Sequence, residues 1–114
     1  MSSGSRQHTR VRIDRKIIIR LSSGELVRGR MVDLSVGGVY VMYDSSASEG
    51  SEFDMFFDVP VGEEFPRVYA RGRVVRVVMI ATHDAFGIGF QFVKFYKNSE
   101  SVLQQYIDSR LRRR

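Results

Sequence analysis

The chain has no cysteine, and only two histidines among 114 residues. The missing cysteine excludes disulfides, thiolate metal sites and a thiol nucleophile, and is neutral to mildly cytosolic as a sign of compartment. His8 and His83 sit in segments without strand or helix periodicity, far apart in sequence. Neither stands beside a serine and a carboxylate in an arrangement that the pattern would hold rigid, and they do not form a paired metal motif. No catalytic residue and no metal ligand can therefore be nominated, and the expectation is a protein that is not an enzyme. No apolar run approaches the roughly 20 residues of a membrane span. The opening MSSGSRQHTR lacks the apolar stretch of a secretory signal. The expected location is cytoplasmic, without membrane insertion. Gly87-Ile88-Gly89-Phe90 lacks the third glycine and following helix of a dinucleotide fingerprint, so no resident cofactor is expected from it. Instead, the missing side chains should let the sheet curve or another segment pack closely.

Positive charge is abundant but unevenly placed. Residues 1–30 carry a net +6, residues 31–66 contain no Lys or Arg and carry −8, and residues 67–114 carry +7, which together make the formal +5. Arginine outnumbers lysine by 15 to 3. Its planar fork grips phosphate and base edges with paired hydrogen bonds and stacks on rings, so an anionic, ring-bearing partner is a reasonable expectation. The acidic block and the basic end of the chain are the expected protein-partner surfaces.

The chain is long enough for one domain. Residues 1–10 form an arm without apolar periodicity, expected to be mobile, and residues 11–114 form the folded body. Ile13, Ile17, Ile19 and Leu21 alternate with Arg12, Asp14, Lys16 and Arg20, a half-buried strand that ends at the Ser22-Ser23-Gly24 turn. Further strands are expected over 25–33, 39–43, 53–59, 68–78 and 86–92, with a slip in the alternation at Val74-Val75-Arg76-Val77 that signals a bulge. From about 98 to 112 the spacing becomes helical, through Val102, Leu103, Tyr106, Ile107 and Leu111, after the cap-forming pair Asn98-Ser99. The predicted class is all-β: a six-stranded antiparallel barrel with a C-terminal helix plugging or flanking one opening.

Two constellations carry recognition chemistry. Arg6 and Arg10 are four apart on the arm, roughly 13 Å if extended at about 3.3 Å per residue, and they converge only if the arm turns back. Asp33, Ser35, Gly37 and Gly38 cluster where the second strand hands over to the third. A carboxylate there suits a group with two adjacent N–H donors, and paired glycines let a flat ligand approach exposed backbone N–H groups. The alternative is that Asp33 and Ser35 merely cap a turn.

In this order the motifs RQHTR, DLSVGG, GRVVR and GIGFQF resemble the PilZ domain, a bacterial receptor family for cyclic di-GMP, over about residues 6–107. Arg6 and Arg10 match the family's Arg-x-x-x-Arg, and Asp33, Ser35 and Gly38 match its Asp-or-Asn-x-Ser-x-x-Gly. The resemblance implies a split six-stranded barrel with a C-terminal helix, and cyclic di-GMP as ligand. It also implies that Arg6 and Arg10 clamp phosphate and the guanine Hoogsteen edge, Asp33 takes guanine N–H donors, Ser35 holds a base or phosphate, and Gly38 leaves room. Arg76 lies on a strand that in this family places a side chain near the base; otherwise it is a solvated strand arginine. Binding would order the arm and alter a surface shown to a downstream protein partner. The alternatives are a PilZ-like interaction module without nucleotide, and a basic small barrel for RNA or DNA.

Overall fold

The computed structural model describes residues 8–112, so Arg6 lies outside the described residues. Six strands, β1 (Val11–Arg20), β2 (Leu26–Leu34), β3 (Gly38–Tyr43), β4 (Glu52–Asp58), β5 (Arg67–Ile80) and β6 (Ala85–Phe95), precede one helix, α1 (Ser99–Arg112). All pairings are antiparallel, and the order β1-β2-β3-β6-β5-β4 closes into a barrel. The closing seam is short: Ile18, Ile19 and Arg20 of β1 lie opposite Phe56, Met55 and Asp54 of β4. Inward residues such as Ile17, Met31, Val41, Met55, Val68 and Ile88 fill the interior. No helix among the described residues is long and apolar enough to cross a membrane.

The alternation in β1 is less regular than its sequence suggests. Val11 joins the core in phase with Ile17 and Ile19, whereas Ile13, beside the register shift between Arg12 and Arg15, and Leu21, past the end of the strand, are only partly buried. The bulge expected in β5 is present as a register shift between Val74 and Arg76. The helix buries Val102, Leu103, Tyr106 and Ile107 and packs against β5 and β1. Ser99 does not spend its hydroxyl on a helix cap. It is fully buried, and its Oγ accepts the N–H of Tyr69 at 2.8 Å, tying the helix start to β5. Near the other end, Arg110 donates to the backbone carbonyl of Arg12 and to the Tyr106 hydroxyl, each at 2.7 Å. Arg110 is thus a strut from the helix to β1.

The strand order resolves the charge blocks. Acidic β4 pairs with basic β1 on one side and basic β5 on the other. On the outer face Glu52 lies opposite Arg73, Asp54 opposite Arg71 and Asp58 opposite Arg67, with an aromatic rung of Phe56 and Tyr69 between the last two. Arg73 reaches Glu52 at 2.9 Å, Arg71 reaches Glu52 at 3.0 Å and Asp54 at 3.1 Å, and Arg67 reaches Asp58 at 2.8 Å. Three carboxylates expected to face a partner are therefore engaged within the sheet. Exposed pairs of this kind are screened by solvent and add little stability, so their chief effect is on strand register.

The Tyr96 hydroxyl donates to Asp54 at 2.7 Å. That bond, aided by Arg71, holds the Asp54 carboxyl below its ordinary value. A depressed native pKa gives stability that is present above the ordinary carboxylate value and is lost as pH falls through the native one. Tyr96→Phe is expected to raise the Asp54 titration midpoint in carboxyl NMR, to lower stability at neutral pH, and to make the loss of stability on acidification smaller and complete at a higher pH than in the wild type. Separately, Leu103→Ala empties a fully buried helix anchor. It should cost about 2–5 kcal/mol in denaturant unfolding.

Candidate functional site

The junction between β2 and β3 is held by one hydroxyl. Ser35 is 2% exposed, and its Oγ accepts the backbone N–H groups of Gly37 and Gly38, both at 3.1 Å. The Ser35 N–H donates to the Gly38 carbonyl at 2.9 Å, and the Gly37 carbonyl accepts from Phe92 of β6 at 2.9 Å. Both glycine N–H groups are thereby held within the loop. This corrects the expectation that the two glycine N–H groups face a ligand: the serine hydroxyl already holds them.

The glycines act instead by close approach. A Cβ on Gly38 would collide with the Phe90 carbonyl of β6, and one on Gly37 would collide with the His8 ring. The imidazole of the arm thus lies on the loop, and Arg10, two residues on, extends its guanidinium Nη1 to Asp33 Oδ1 at 2.5 Å. Asp33 Oδ2 has no hydrogen-bond partner among the described residues. One arginine of the Arg-x-x-x-Arg pair therefore meets the carboxylate of the second motif.

A cross-strand row extends this contact over the outer face. Arg12 of β1 lies opposite Asp33 of β2, Asp33 opposite Tyr40 of β3, Tyr40 opposite Gly89 of β6, and Gly89 opposite Arg76 of β5. Gly87 and Gly89 leave this part of β6 bare. Tyr40 lies down over them, and a Cβ at Gly87 would overlap its hydroxyl. The close packing expected of the GIGF segment is thus a tyrosine ring seated on glycine. The Arg76 guanidinium stands 5.7 Å from the centre of that ring, within cation–π range. Beside the row runs an open groove of about 560 Å³, with Arg12, Arg15, Arg30 and Arg110 in its wall.

Five of the six nominated residues lie within the described chain. Arg10 and Asp33 are in direct contact, Ser35 and Gly38 form the loop beside them, and Arg76 joins through Tyr40. Tyr40, His8 and Arg12 were not nominated. Tyr40 had a legible signal: it alternates with inward Val39 and Val41, so it must face out. The bare strip for its ring is written in Gly87 and Gly89. His8 and Arg12 had none, since their places depend on how the arm meets the loop and on the β1–β2 register.

A carboxylate, a guanidinium, an aromatic ring and a glycine-floored shelf suit a flat, anionic ligand bearing N–H donors. The fold is that of a small antiparallel β-barrel with one terminal helix. The PilZ domain model matches residues 5–109, and the chain belongs to the PilZ domain family. Among curated proteins no sequence relative matches. Among solved structures, the Bacillus subtilis inhibitor of motility MotI/DgrA superposes with a TM-score of 0.81 at 20% identity, over 98% of this chain and 55% of that one. Escherichia coli YcgR in complex with c-di-GMP gives 0.74 at 21%, over 95% and 46%. The isolated PilZ domain of YcgR with c-di-GMP gives 0.66 at 20%, over 92% and 90%. The chain thus spans about half the length of the first two, and these likenesses establish the shared fold.

Removing the serine hydroxyl leaves two loop N–H groups without their acceptor. Ser35→Ala is expected to destabilise the domain by about 1–3 kcal/mol in chemical denaturation. Ser35→Thr, which keeps an oxygen there, should lose less. Equal losses for both variants would mean that volume, not the hydroxyl, matters.

Proposed function

We propose that this chain is a cyclic di-GMP receptor that acts as a cytoplasmic, non-enzymatic adaptor. The observation that carries this reading is Arg10 of the arm reaching Asp33 beside a glycine-floored shelf. Family membership supports it, as do solved relatives whose structures contain c-di-GMP. The ligand is a dianion with two guanines. Arg6 and Arg10 grip its phosphates and a guanine O6/N7 edge, by the geometry arginine uses on guanine in DNA. Asp33 accepts guanine N–H donors through the oxygen that Arg10 leaves free. Gly38 keeps the loop close to β6, and Ser35 serves by shaping that loop. Arg76 and Tyr40 offer a cation and a ring for purine stacking.

Ligand draws the two arm arginines together, and the arm's ordering on the barrel alters the surface presented to a downstream protein. That is a segment switching between order and disorder.

Titration calorimetry tests this. Wild type should release or absorb heat with cyclic di-GMP, and Arg10→Ala and Asp33→Ala should each weaken binding by about 10–100-fold, the range of a lost charge-assisted hydrogen bond. Raising salt should weaken binding only modestly, because a dinucleotide releases few counterions. Absence of heat with wild type refutes the receptor reading. Steeply salt-dependent binding to single-stranded nucleic acid in its place would identify a polynucleotide-binding barrel.

A further inference from the structure

Strand β5 outruns its neighbour β4. The last β4 residue in register is Glu52, opposite Arg73. Val74 then exchanges two hydrogen bonds with the preceding turn: its N–H donates to the Ser51 carbonyl and its carbonyl accepts from Gly50, both at 2.8 Å. Beyond it, residues 75–80 pair with β6 alone. Their other edge has no backbone partner among the described residues. The barrel is therefore closed below Val74 and open above it, with a six-residue edge reading VRVVMI.

Open edges are ordinarily guarded by proline, lysine, inward charges or a covering loop. Here the only charged residue is Arg76, and its side chain points across the outer face to Tyr40. The apolar residues are exposed instead: Val75 by 49%, Val78 by 40% and Met79 by 69%. Unpaired backbone groups and exposed apolar side chains on one strand describe a template for another strand.

We propose that this edge is the seam of a homodimer, in which residues 75–80 of a second copy add antiparallel to the first about a two-fold axis normal to the sheet. Such an axis sets residues of the same face opposite each other, and among the registers this allows those centred on Val77 or on Val78 keep the two Arg76 side chains apart. In the first case Arg76 meets Val78 and Val75 meets Met79; in the second Arg76 meets Ile80 and Val77 meets Met79. Neither register sets the two Arg76 side chains opposite each other, so the edge is compatible with itself in charge. Its length also matches, because Val74 and the 81–83 turn bound the same window in both copies. The strand pair alone covers less than the roughly 1,200 Å² of a stable complex, so the dimer is of the weak, reversible kind. This proposal does not rest on the nucleotide reading.

Sedimentation velocity from about 10 µM to about 1 mM should show the mass of the wild type climbing from monomer toward dimer, as expected for a weak equilibrium. Val78→Lys should stay monomeric while keeping the wild-type circular dichroism. The cysteine-free chain permits a second, independent measurement. Val78→Cys should be joined by a short bis-maleimide at least about tenfold faster than Val93→Cys, because the seam raises the effective concentration of its thiols. Val93 is exposed to a similar degree, 39%, but lies on β6 away from the edge. A wild type that stays monomeric over the whole range, or equal crosslinking of the two cysteine variants, would overturn the proposal.

Discussion

At Gly38 the backbone of β3 meets that of β6 so closely that no Cβ fits against the Phe90 carbonyl. From this contact the site is laid out. It brings the β2–β3 loop onto β6, where the Gly37 carbonyl takes the Phe92 N–H. It lets Ser35 close the loop from within, and it sets Asp33 at the rim where Arg10 reaches it. The same nearness lets Tyr40 lie flat on β6, which again requires glycine at position 87. Small residues on two stretches of chain thus make one shelf, and the charged groups stand around it.

Charge placement follows from strand order. In sequence the acidic residues form one block between two basic ones. In the barrel that block supplies β4, set between β1 and β5, and much of its charge is met by arginines across the strand. Arg10 and Arg76 differ from those ladder arginines. One belongs to the arm and reaches the loop carboxylate; the other meets a ring rather than a carboxylate. Basic groups left beside the shelf suit an anion, whereas those on the β4 face are engaged in holding the sheet.

Much of this was legible in the sequence because it is local. Period-two alternation marked the strands, the slip at Val74–Val77 marked the bulge, and helical spacing marked the buried face of α1 apart from Leu111, which is exposed near the helix end. The grouping of Arg10 with the Asp33 junction followed only from the family resemblance of two ordered motifs, and their direct ion pair was not foreseen. What escaped depends on register and closure, which no short window contains. Nothing near Glu52 tells that Arg71 and Arg73 will meet it, and nothing near Ser99 tells that its hydroxyl will serve Tyr69 rather than its own helix. Ser35 and its glycines, taken alone, pointed to a turn more than to a ligand, and the internal hydrogen bonds form that turn.

The central claim is that Arg10, Asp33 and Tyr40 form one surface for a guanine dinucleotide. Side-chain NMR follows it directly, through the Arg10 guanidinium nitrogens, the Asp33 carboxyl carbon and the Tyr40 ring protons during addition of cyclic di-GMP. The account predicts that all three move together and saturate, while the Glu52–Arg73 ladder signals stay in place. Unchanged Arg10, Asp33 and Tyr40 signals at saturating nucleotide would contradict it.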